Sequence, residues 1–311
     1  MEDCENTIHN YAISYILNIK EDFLTPQKKP RNFYQYSTLS TFKGVIEHNN
    51  LWATHWAYLN DAKELKKGLE IAKFVHSEPI IKKAFKSYKS FNDFEELISK
   101  LMQKDKLNTV DAYVLCFSEK KDKLNLWRGY GDGYNSIVTA YDTAKIESNI
   151  KTAGFSIMGK VVYDEDRQKV MILTFLGRFC LLAKQLCKKF PKQKEKVEKH
   201  MLEYLALGIL ILSLFMKERH WNEEKEWRII YIFPSQKKLD FRKNDKGFIP
   251  FLHIPIFKEH ALKCINGVRL PKSPDFALRE KAIQMLWDKV CNENQIRKDL
   301  KVEQSSISIV Y

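Results

Sequence analysis

An apolar run rich in β-branched and aromatic residues, from Ile229 to Phe233, directly follows the charged segment Glu224-Lys225-Glu226-Trp227-Arg228. Such a run is typical of a buried strand. Because side chains alternate between the two faces of a strand, we expect Glu224, Glu226 and Arg228 to share one face. Two neighbouring carboxylates repel each other unless a cation lies close to both. Either Arg228 or a ligand can supply that positive charge. A solvated charged stripe on an edge strand is the simpler interpretation.

Composition indicates a globular protein and is compatible with an anionic partner. The chain has 311 residues, enough for one large domain or two ordinary ones, and its 44% hydrophobic and 29% charged residues exclude a disordered chain. The net charge of +13 suits a nucleotide, nucleic acid or other polyanion. The lysines are spread along the chain, so this charge alone does not specify nucleic acid.

Cysteine and histidine spacing gives no indication of a metal site. The six cysteines form no C-x-x-C pair, and no two histidines have HExxH spacing, so no metal is expected. Cys116 lies in an apolar stretch and is assigned to the core. The acidic N-terminus is unlike a signal peptide, which predicts a cytoplasmic protein. The longest apolar stretch, Met201 to Met216, is shorter than the roughly 20 residues that span a bilayer, so no membrane is expected.

The order of strands and helices predicts an α+β fold with a mainly antiparallel central sheet and a large helical portion. Residues 1–30 form a predicted N-terminal helical extension, and 31–311 a single α+β domain with helical insertions at about 61–105 and 166–219. The last strand is predicted at Ser306 to Val310, and Ser37 or Ser40 is expected to cap the first helix of the domain. The second insertion carries a run of lysines between Lys184 and His200, which is either a solvated face or an anionic partner site.

Five short segments, taken in order, resemble a bacterial family known as domain of unknown function 2971. They cover roughly residues 32–311 and are Phe33-Tyr34-Gln35-Tyr36; Leu51-Trp52-Ala53-Thr54 with Leu59 to Glu64; Cys116-Phe117-Ser118 with Leu126 to Tyr130; Glu224 to Arg228; and Ile265 to Val268 with Ser306-Ile307. Each motif alone is weak, and the ordered set is fairly specific. The family name carries no activity.

The order of these features is also similar, more remotely, to the ADP-ribosyltransferase fold. That fold has an aromatic or basic residue on a first strand, a serine on a second and a Glu-x-Glu motif opening a later one. The resemblance implies NAD as substrate, with Glu226 stabilising charge on the ribose, Glu224 orienting the acceptor or taking its proton, and Ser118 bonding the glutamate or the ribose. It also implies a role as a bacterial toxin or anti-phage defence effector that is controlled by an antitoxin or other partner.

The other candidate site residues are chosen because they could contact the nicotinamide ring or the pyrophosphate of NAD. Aromatic rings would stack on nicotinamide, and guanidinium groups match the oxygens of the pyrophosphate. The candidates for cofactor binding are Tyr34, Tyr36, Trp127, Arg128, Tyr130 and Arg228. Asn60, Asp61 and Glu64 either cap a helix or bind substrate, since Asp61 and Glu64 would share a helical face.

Two other functional classes are also compatible with the sequence. In a metal-dependent nuclease, the carboxylates of Asp61, Glu64, Glu224 and Glu226 would gather around Mg²⁺, and the lysine-rich helices would hold the phosphate backbone. In a non-catalytic binding module, the acidic and aromatic residues would form a pocket for a peptide or nucleotide.

Overall fold

The structure, a computed structural model, describes residues 3–59, 64–86, 93–103, 111–150, 156–232, 239–244, 247–254 and 261–308. The chain divides into two compact units. The first, the helical unit, comprises Met1–Pro26, Trp56–Asp111 and Gly159–Asn222. The second, the sheet unit, comprises Gln27–His55, Ala112–Met158 and Glu223–Tyr311. The helical unit overlaps the extension and the two insertions that the sequence predicts.

The described helices and strands are numbered in chain order. The helices are α1 (Cys4–Ile19), α2 (Leu39–His48), α3 (Glu64–Ser77), α4 (Pro79–Phe85), α5 (Phe94–Leu101), α6 (Leu124–Tyr130), α7 (Thr143–Ile150), α8 (Glu165–Lys189), α9 (Lys194–Ser213) and α10 (Phe276–Glu293). The strands are β1 (Asn32–Thr38), β2 (Leu51–His55), β3 (Ala112–Ser118), β4 (Ser136–Asp142), β5 (Ser156–Lys160), β6 (Glu226–Ile232), β7 (Leu239–Asn244), β8 (Gly247–Ile254), β9 (Ile265–Leu270) and β10 (Val302–Gln304).

The helical unit is held together by close packing among α3, α8 and α9. A methyl group added to Gly68 on α3 would lie 2.6 Å from the Cα of Ser213 on α9, so these two helices approach each other closely. Among the described helices, α8 is by length and composition able to cross a membrane. More than half of its most apolar stretch is buried in the protein, and the core helices of soluble proteins pass the same test.

The described strands form one open sheet, mostly antiparallel. Its order is β10-β9-β4-β1-β3-β2-β8-β7, and β6 pairs with β3 and β5. β9 and β10 run parallel, whereas β1 pairs antiparallel with β3 and β4, and β3 pairs antiparallel with β6. The prediction of a mixed fold with a mainly antiparallel sheet and a large helical portion is confirmed.

One face of the sheet carries the main apolar core. Phe33 on β1, Phe117 on β3 and Trp227 on β6 are buried together there, with ring centroids 5.3 Å apart for Phe33 and Phe117 and 5.1 Å apart for Phe33 and Trp227. Helices α2, α7 and α10 add apolar residues to the same cluster, including Phe42 and Trp287. Since strand side chains alternate, the residues next to these three in sequence must project to the opposite face.

Three local features differ from the prediction. The cap of α2 is Thr38, whose side chain accepts a hydrogen bond from the backbone N–H of Thr41, and not Ser37 or Ser40. The last described strand is β10, and residues 306–308 do not begin the strand predicted from Ser306 to Val310, whose remaining residues lie outside the described part of the chain. The carboxylate of Asp122 accepts hydrogen bonds from the Ser305 hydroxyl at 2.7 Å and from the Ser306 backbone N–H at 2.9 Å. These bonds hold the backbone in a bend at this point.

Candidate functional site

Strand alternation brings three predicted site residues side by side on the face opposite the main core. Ser118, at the end of β3, is paired with Glu226 on β6 and with Tyr34 on β1. Their sequence neighbours Phe117, Trp227 and Phe33 are the core residues of the other face. The period of two residues along each strand therefore places the polar side chains together.

These residues line a small cavity of about 40 Å³. Six of its lining residues were predicted from the sequence: Tyr34, Tyr36, Ser118, Tyr130, Glu224 and Glu226. Both glutamates and Ser118 are buried, and Tyr34 and Tyr130 are half-buried. The cavity thus combines two carboxylates with three phenol rings.

Glu226 is held by Arg228 on the same strand. The Nε of Arg228 donates to Oε1 of Glu226 at 2.8 Å, and Nη2 donates to Oε2 at 3.0 Å. The side chains are only 1% and 6% exposed, so the ion pair lies away from water. A bidentate pair of this kind fixes the plane of the carboxylate as well as its charge. Arg228 therefore orients Glu226 instead of presenting its guanidinium to the cavity.

The sequence pattern predicted that Glu224 lies on the strand, but in the structure it lies before the strand begins. It ends a short 3₁₀ helix, Arg219–Glu224, and Lys225 then adopts a left-handed backbone with φ of 45° before β6 begins at Glu226. This turn interrupts the alternation that the sequence pattern assumed. Ser118 Oγ donates to the Glu224 carbonyl at 2.6 Å, and the Glu119 N–H donates to the Lys225 carbonyl at 3.1 Å. Non-glycine residues rarely adopt such a φ, and they do so where surrounding bonds impose it.

Tyr130 brings a hydroxyl donor to the Glu224 carboxylate. Its Oη donates to Oε1 of Glu224 at 2.9 Å. Burial raises the pKa of the Tyr130 hydroxyl well above its usual value, and the carboxylates of Glu226 and Glu224 raise that pKa further. Tyr130 therefore keeps its proton and remains a donor at neutral pH.

Tyr36 and Trp127 pack against each other next to the cavity. Together with Leu126 and Val138 they make a second apolar cluster, which seats α6 against the sheet. Tyr36 Oη donates to the Lys120 carbonyl at 2.9 Å and accepts from the Lys123 N–H at 3.1 Å, which fixes the loop between β3 and α6. Trp127 is fully buried, stacks edge-on against Tyr36 at 5.3 Å and donates from Nε1 to Asp122.

The other predicted residues lie elsewhere. Arg128 is exposed on α6, on the opposite side of the helix from the buried Trp127. Asn60 and Asp61 lie outside the described residues. Glu64 begins α3, and its side chain also lies outside the described part of the structure.

Three cavity residues were not predicted: Cys116, Phe117 and Leu126. Cys116 was assigned to the core, but it is half-buried and lies on the cavity side of β3, two residues before Ser118. The alternation that identifies Ser118 as a cavity residue would also have identified Cys116. The apolar character of the stretch concealed it.

A second cavity of about 150 Å³ adjoins the first, and Tyr34 lines both. Three cations, Lys121, Arg269 and Lys301, line it together with Glu303. Arg269 donates to the Gln304 carbonyl at 3.1 Å and to Asp122 at 3.3 Å. Burial alone would raise the pKa of Asp122, but hydrogen bonds from Trp127, Ser305 and Ser306 outweigh it and lower that pKa. The described lining of the second cavity has three cations and one carboxylate, whereas that of the first has two carboxylates, so the second cavity is the more cationic.

Within the described part of the chain, no group of three or more His, Cys, Asp or Glu side chains is arranged to hold a metal ion. The carboxylates of the proposed nuclease site include Asp61 and Glu64, whose side chains fall outside the described residues. The arrangement of that four-carboxylate site is therefore still a prediction.

Comparison with known protein families matches about a third of the chain. Residues 126–229 match the model of a family described as Protein of unknown function (DUF2971). No curated protein and no solved structure matches the chain. The matched segment begins at the Leu126 to Tyr130 motif and ends just beyond the Glu224 to Arg228 motif, so it contains Tyr130, Glu224 and Glu226. The family match therefore supports the resemblance to DUF2971 for the part of the chain that supplies both carboxylates of the candidate site.

Proposed function

We propose that this protein is an NAD-consuming enzyme of the ADP-ribosyltransferase type, transferring ADP-ribose to an acceptor or to water. The observation that carries the proposal is the meeting of the Glu224 and Glu226 carboxylates with Tyr34 and Tyr130 in one cavity. Nicotinamide in NAD is a cationic aromatic ring attached to a sugar. Carboxylates attract the positive charge of the nicotinamide ring and accept hydrogen bonds from the sugar hydroxyls. Phenol rings can stack on the face of the nicotinamide.

The proposed reaction breaks the bond between the nicotinamide nitrogen and C1′ of the ribose. The electron pair leaves with nicotinamide, which departs neutral, and positive charge develops on the ribose. The acceptor or water forms the new bond to C1′ and loses a proton. Glu226 would stabilise the developing charge and bond the ribose hydroxyls. A carboxylate has about four acceptor positions, and the bonds from Arg228 use two of those of Glu226.

Glu224 would take the proton of the acceptor. Its backbone is fixed by Ser118 and its carboxylate by Tyr130, so its position is defined by two hydrogen bonds from different elements. The adjoining cationic cavity supports a ligand that carries phosphate. A nucleotide with its nicotinamide ribose near Glu226 would direct its pyrophosphate past Tyr34 toward Lys121 and Arg269.

Glu224→Gln is the most informative variant for testing this function. Gln has nearly the same shape and still accepts a hydrogen bond from Tyr130, whereas Glu226→Gln would disturb a buried ion pair. Purified wild type, Glu224→Gln and the exposed neighbour control Glu223→Gln would be incubated with NAD, and free nicotinamide would be followed by chromatography. We expect release by wild type and Glu223→Gln, and a loss of at least about 100-fold in Glu224→Gln.

The same incubations would be run with and without Mg²⁺ and with added RNA or DNA. Nucleic acid cut only when Mg²⁺ is present, without nicotinamide release, would contradict the proposal and favour the nuclease. Thermal unfolding with and without NAD adds a binding measurement, because a ligand that binds the native state raises the unfolding temperature. No release together with no NAD-dependent stabilisation would favour a binding module for another ligand.

A further inference from the structure

An open pocket of about 630 Å³ in the sheet unit has a strongly cationic lining, and none of its described lining residues lines either of the two cavities above. Its charged residues are Lys145 on α7, Lys263 before β9, and Arg297 and Lys298 after α10. Among the residues that the structure describes, its lining contains no Asp or Glu. Four cations with no described carboxylate among the lining residues indicate an anionic ligand.

Two of these cations converge on a single atom. The Lys145 ammonium and the Lys298 ammonium each donate to the Lys263 carbonyl oxygen, both at 2.9 Å. Lys298 also donates to the Leu262 carbonyl at 3.1 Å. A carbonyl supplies a dipole but no net charge, so it holds both ammonium groups without neutralising them. Each ammonium has three donors, and bonds to a further acceptor remain available.

The position of Lys298 is fixed by its backbone as well as by its side chain. Its carbonyl accepts a hydrogen bond from Nε1 of the buried Trp287 at 2.6 Å. Burial lowers the pKa of the Lys298 ammonium, and the Lys145 charge lowers that pKa further. Lys298 is half-buried and Lys145 is exposed. Two like charges held at one carbonyl repel each other, and a bound anion would relieve that repulsion.

The acidic groups near this pair do not form ion pairs with it among the described residues. Asp142 accepts a hydrogen bond from the Lys145 backbone N–H at 3.1 Å, so its carboxylate caps α7. Gln295, which lines the pocket, adopts a left-handed backbone with φ of 54°. This left-handed residue ends α10, because the Ile296 N–H that follows it donates to the Cys291 carbonyl at 2.9 Å.

We propose that this pocket binds the phosphate group of a small ligand through Lys145 and Lys298. The inference does not depend on the proposed NAD chemistry, because no residue of the candidate site takes part. Inorganic phosphate is the probe. The dissociation constant would be measured by calorimetry at fixed ionic strength, with chloride as the competing anion, for wild type, Lys145→Met, Lys298→Met and Lys298→Arg. Lys281→Met, an exposed lysine on α10, is the matched control.

We expect phosphate to bind wild type, Lys298→Arg and Lys281→Met with similar affinity, and to bind Lys145→Met and Lys298→Met about tenfold more weakly. Lysine labelled with ¹³C at Cε provides a direct measurement, because bound phosphate should raise the pKa of Lys298 in the NMR titration. This measurement needs no variant and remains valid if Lys298→Met fails to fold.

Three outcomes of the phosphate measurements would overturn the proposal. They are binding of phosphate no stronger than chloride, an equal loss of affinity in Lys281→Met, and no change in the Lys298 titration. A single-stranded oligonucleotide that binds through these lysines while phosphate does not would also overturn it, in favour of a nucleic-acid surface. None of these outcomes bears on nicotinamide release, so this proposal and the NAD proposal fail separately.

Discussion

Arg228 and Glu226 form a bidentate ion pair within a single strand, two residues apart and both buried. The two charges were removed from water together, so the free energy of each depends on the other. A substitution at Glu226 should therefore change the stability of the folded state, whatever its effect on the proposed chemistry.

Glu226→Gln should lower the free energy of unfolding by about 3 kcal/mol, because the buried guanidinium of Arg228 loses its negative partner. Urea denaturation of the purified variant measures this loss. The double variant Glu226→Gln/Arg228→Met removes both charges and should be more stable than the sum of the single losses predicts. Strictly additive losses would contradict the strong coupling that we expect.

Tyr130→Phe should destabilise the fold by about 1–3 kcal/mol, because the buried Glu224 carboxylate loses a hydrogen-bond donor. Tyr134→Phe is the control, since Tyr134 is 49% exposed and loses the same hydroxyl group. It should change the free energy of unfolding by less than about 0.5 kcal/mol. Equal effects of the two substitutions in urea denaturation would mean that the Tyr130 hydroxyl contributes nothing specific.

Stability should fall as the pH rises above about 10. Burial raises the pKa of both Tyr36 and Tyr130, so the folded state holds these protons at a pH where the unfolded chain has released them. The free energy of unfolding is therefore unaffected by these groups below the unfolded pKa and decreases above it. Urea denaturation from about pH 9 to about pH 11 measures the slope. The variant Tyr36→Phe/Tyr130→Phe should show a shallower slope, and an unchanged one would count against this explanation.

Two glycines that flank Tyr130 should respond in opposite directions to alanine. A methyl group on Gly129 meets nothing within 4 Å, so Gly129→Ala should stabilise α6 by about 0.5–1 kcal/mol. A methyl group on Gly131 would lie 2.5 Å from the Trp127 carbonyl oxygen, so Gly131→Ala should destabilise the protein by about 1–3 kcal/mol. Thermal unfolding of the two variants measures both effects. A change of the unfolding temperature in the same direction for both would contradict the described geometry at the end of α6.

Much of the candidate site could be predicted because it depends on strand alternation. The apolar runs at β3 and β6 indicate strands, and a period of two then separates Ser118 and Glu226 from Phe117 and Trp227. The sequence does not predict which residue of β1 lies opposite which residue of β3, because the register of a strand pair depends on contacts across the sheet. Tyr34 was therefore a candidate from the sequence and became a neighbour of Ser118 only in the structure.

The errors share a physical cause, which is the conformation of single residues. Periodicity does not reveal that Lys225 turns left-handed, so Glu224 was placed on the strand. Trp127 and Arg128 are adjacent in sequence, but α6 buries the first and exposes the second, and their expected role in cofactor binding is still a prediction. At Ser306, where a strand was expected to begin, the backbone instead bonds to Asp122, which lies 184 residues away in sequence.

Core and cavity side chains alternate residue by residue along β1, β3 and β6, which limits how the gene can change in length. One codon inserted inside β6 would turn Glu226 toward the apolar core and Trp227 toward the cavity in a single step, because a slip of one residue exchanges the faces of a strand. Two inserted codons would restore the faces. Within these three strands, natural relatives that differ in length should therefore differ by even numbers of residues, whereas their connecting loops are free to change by any number.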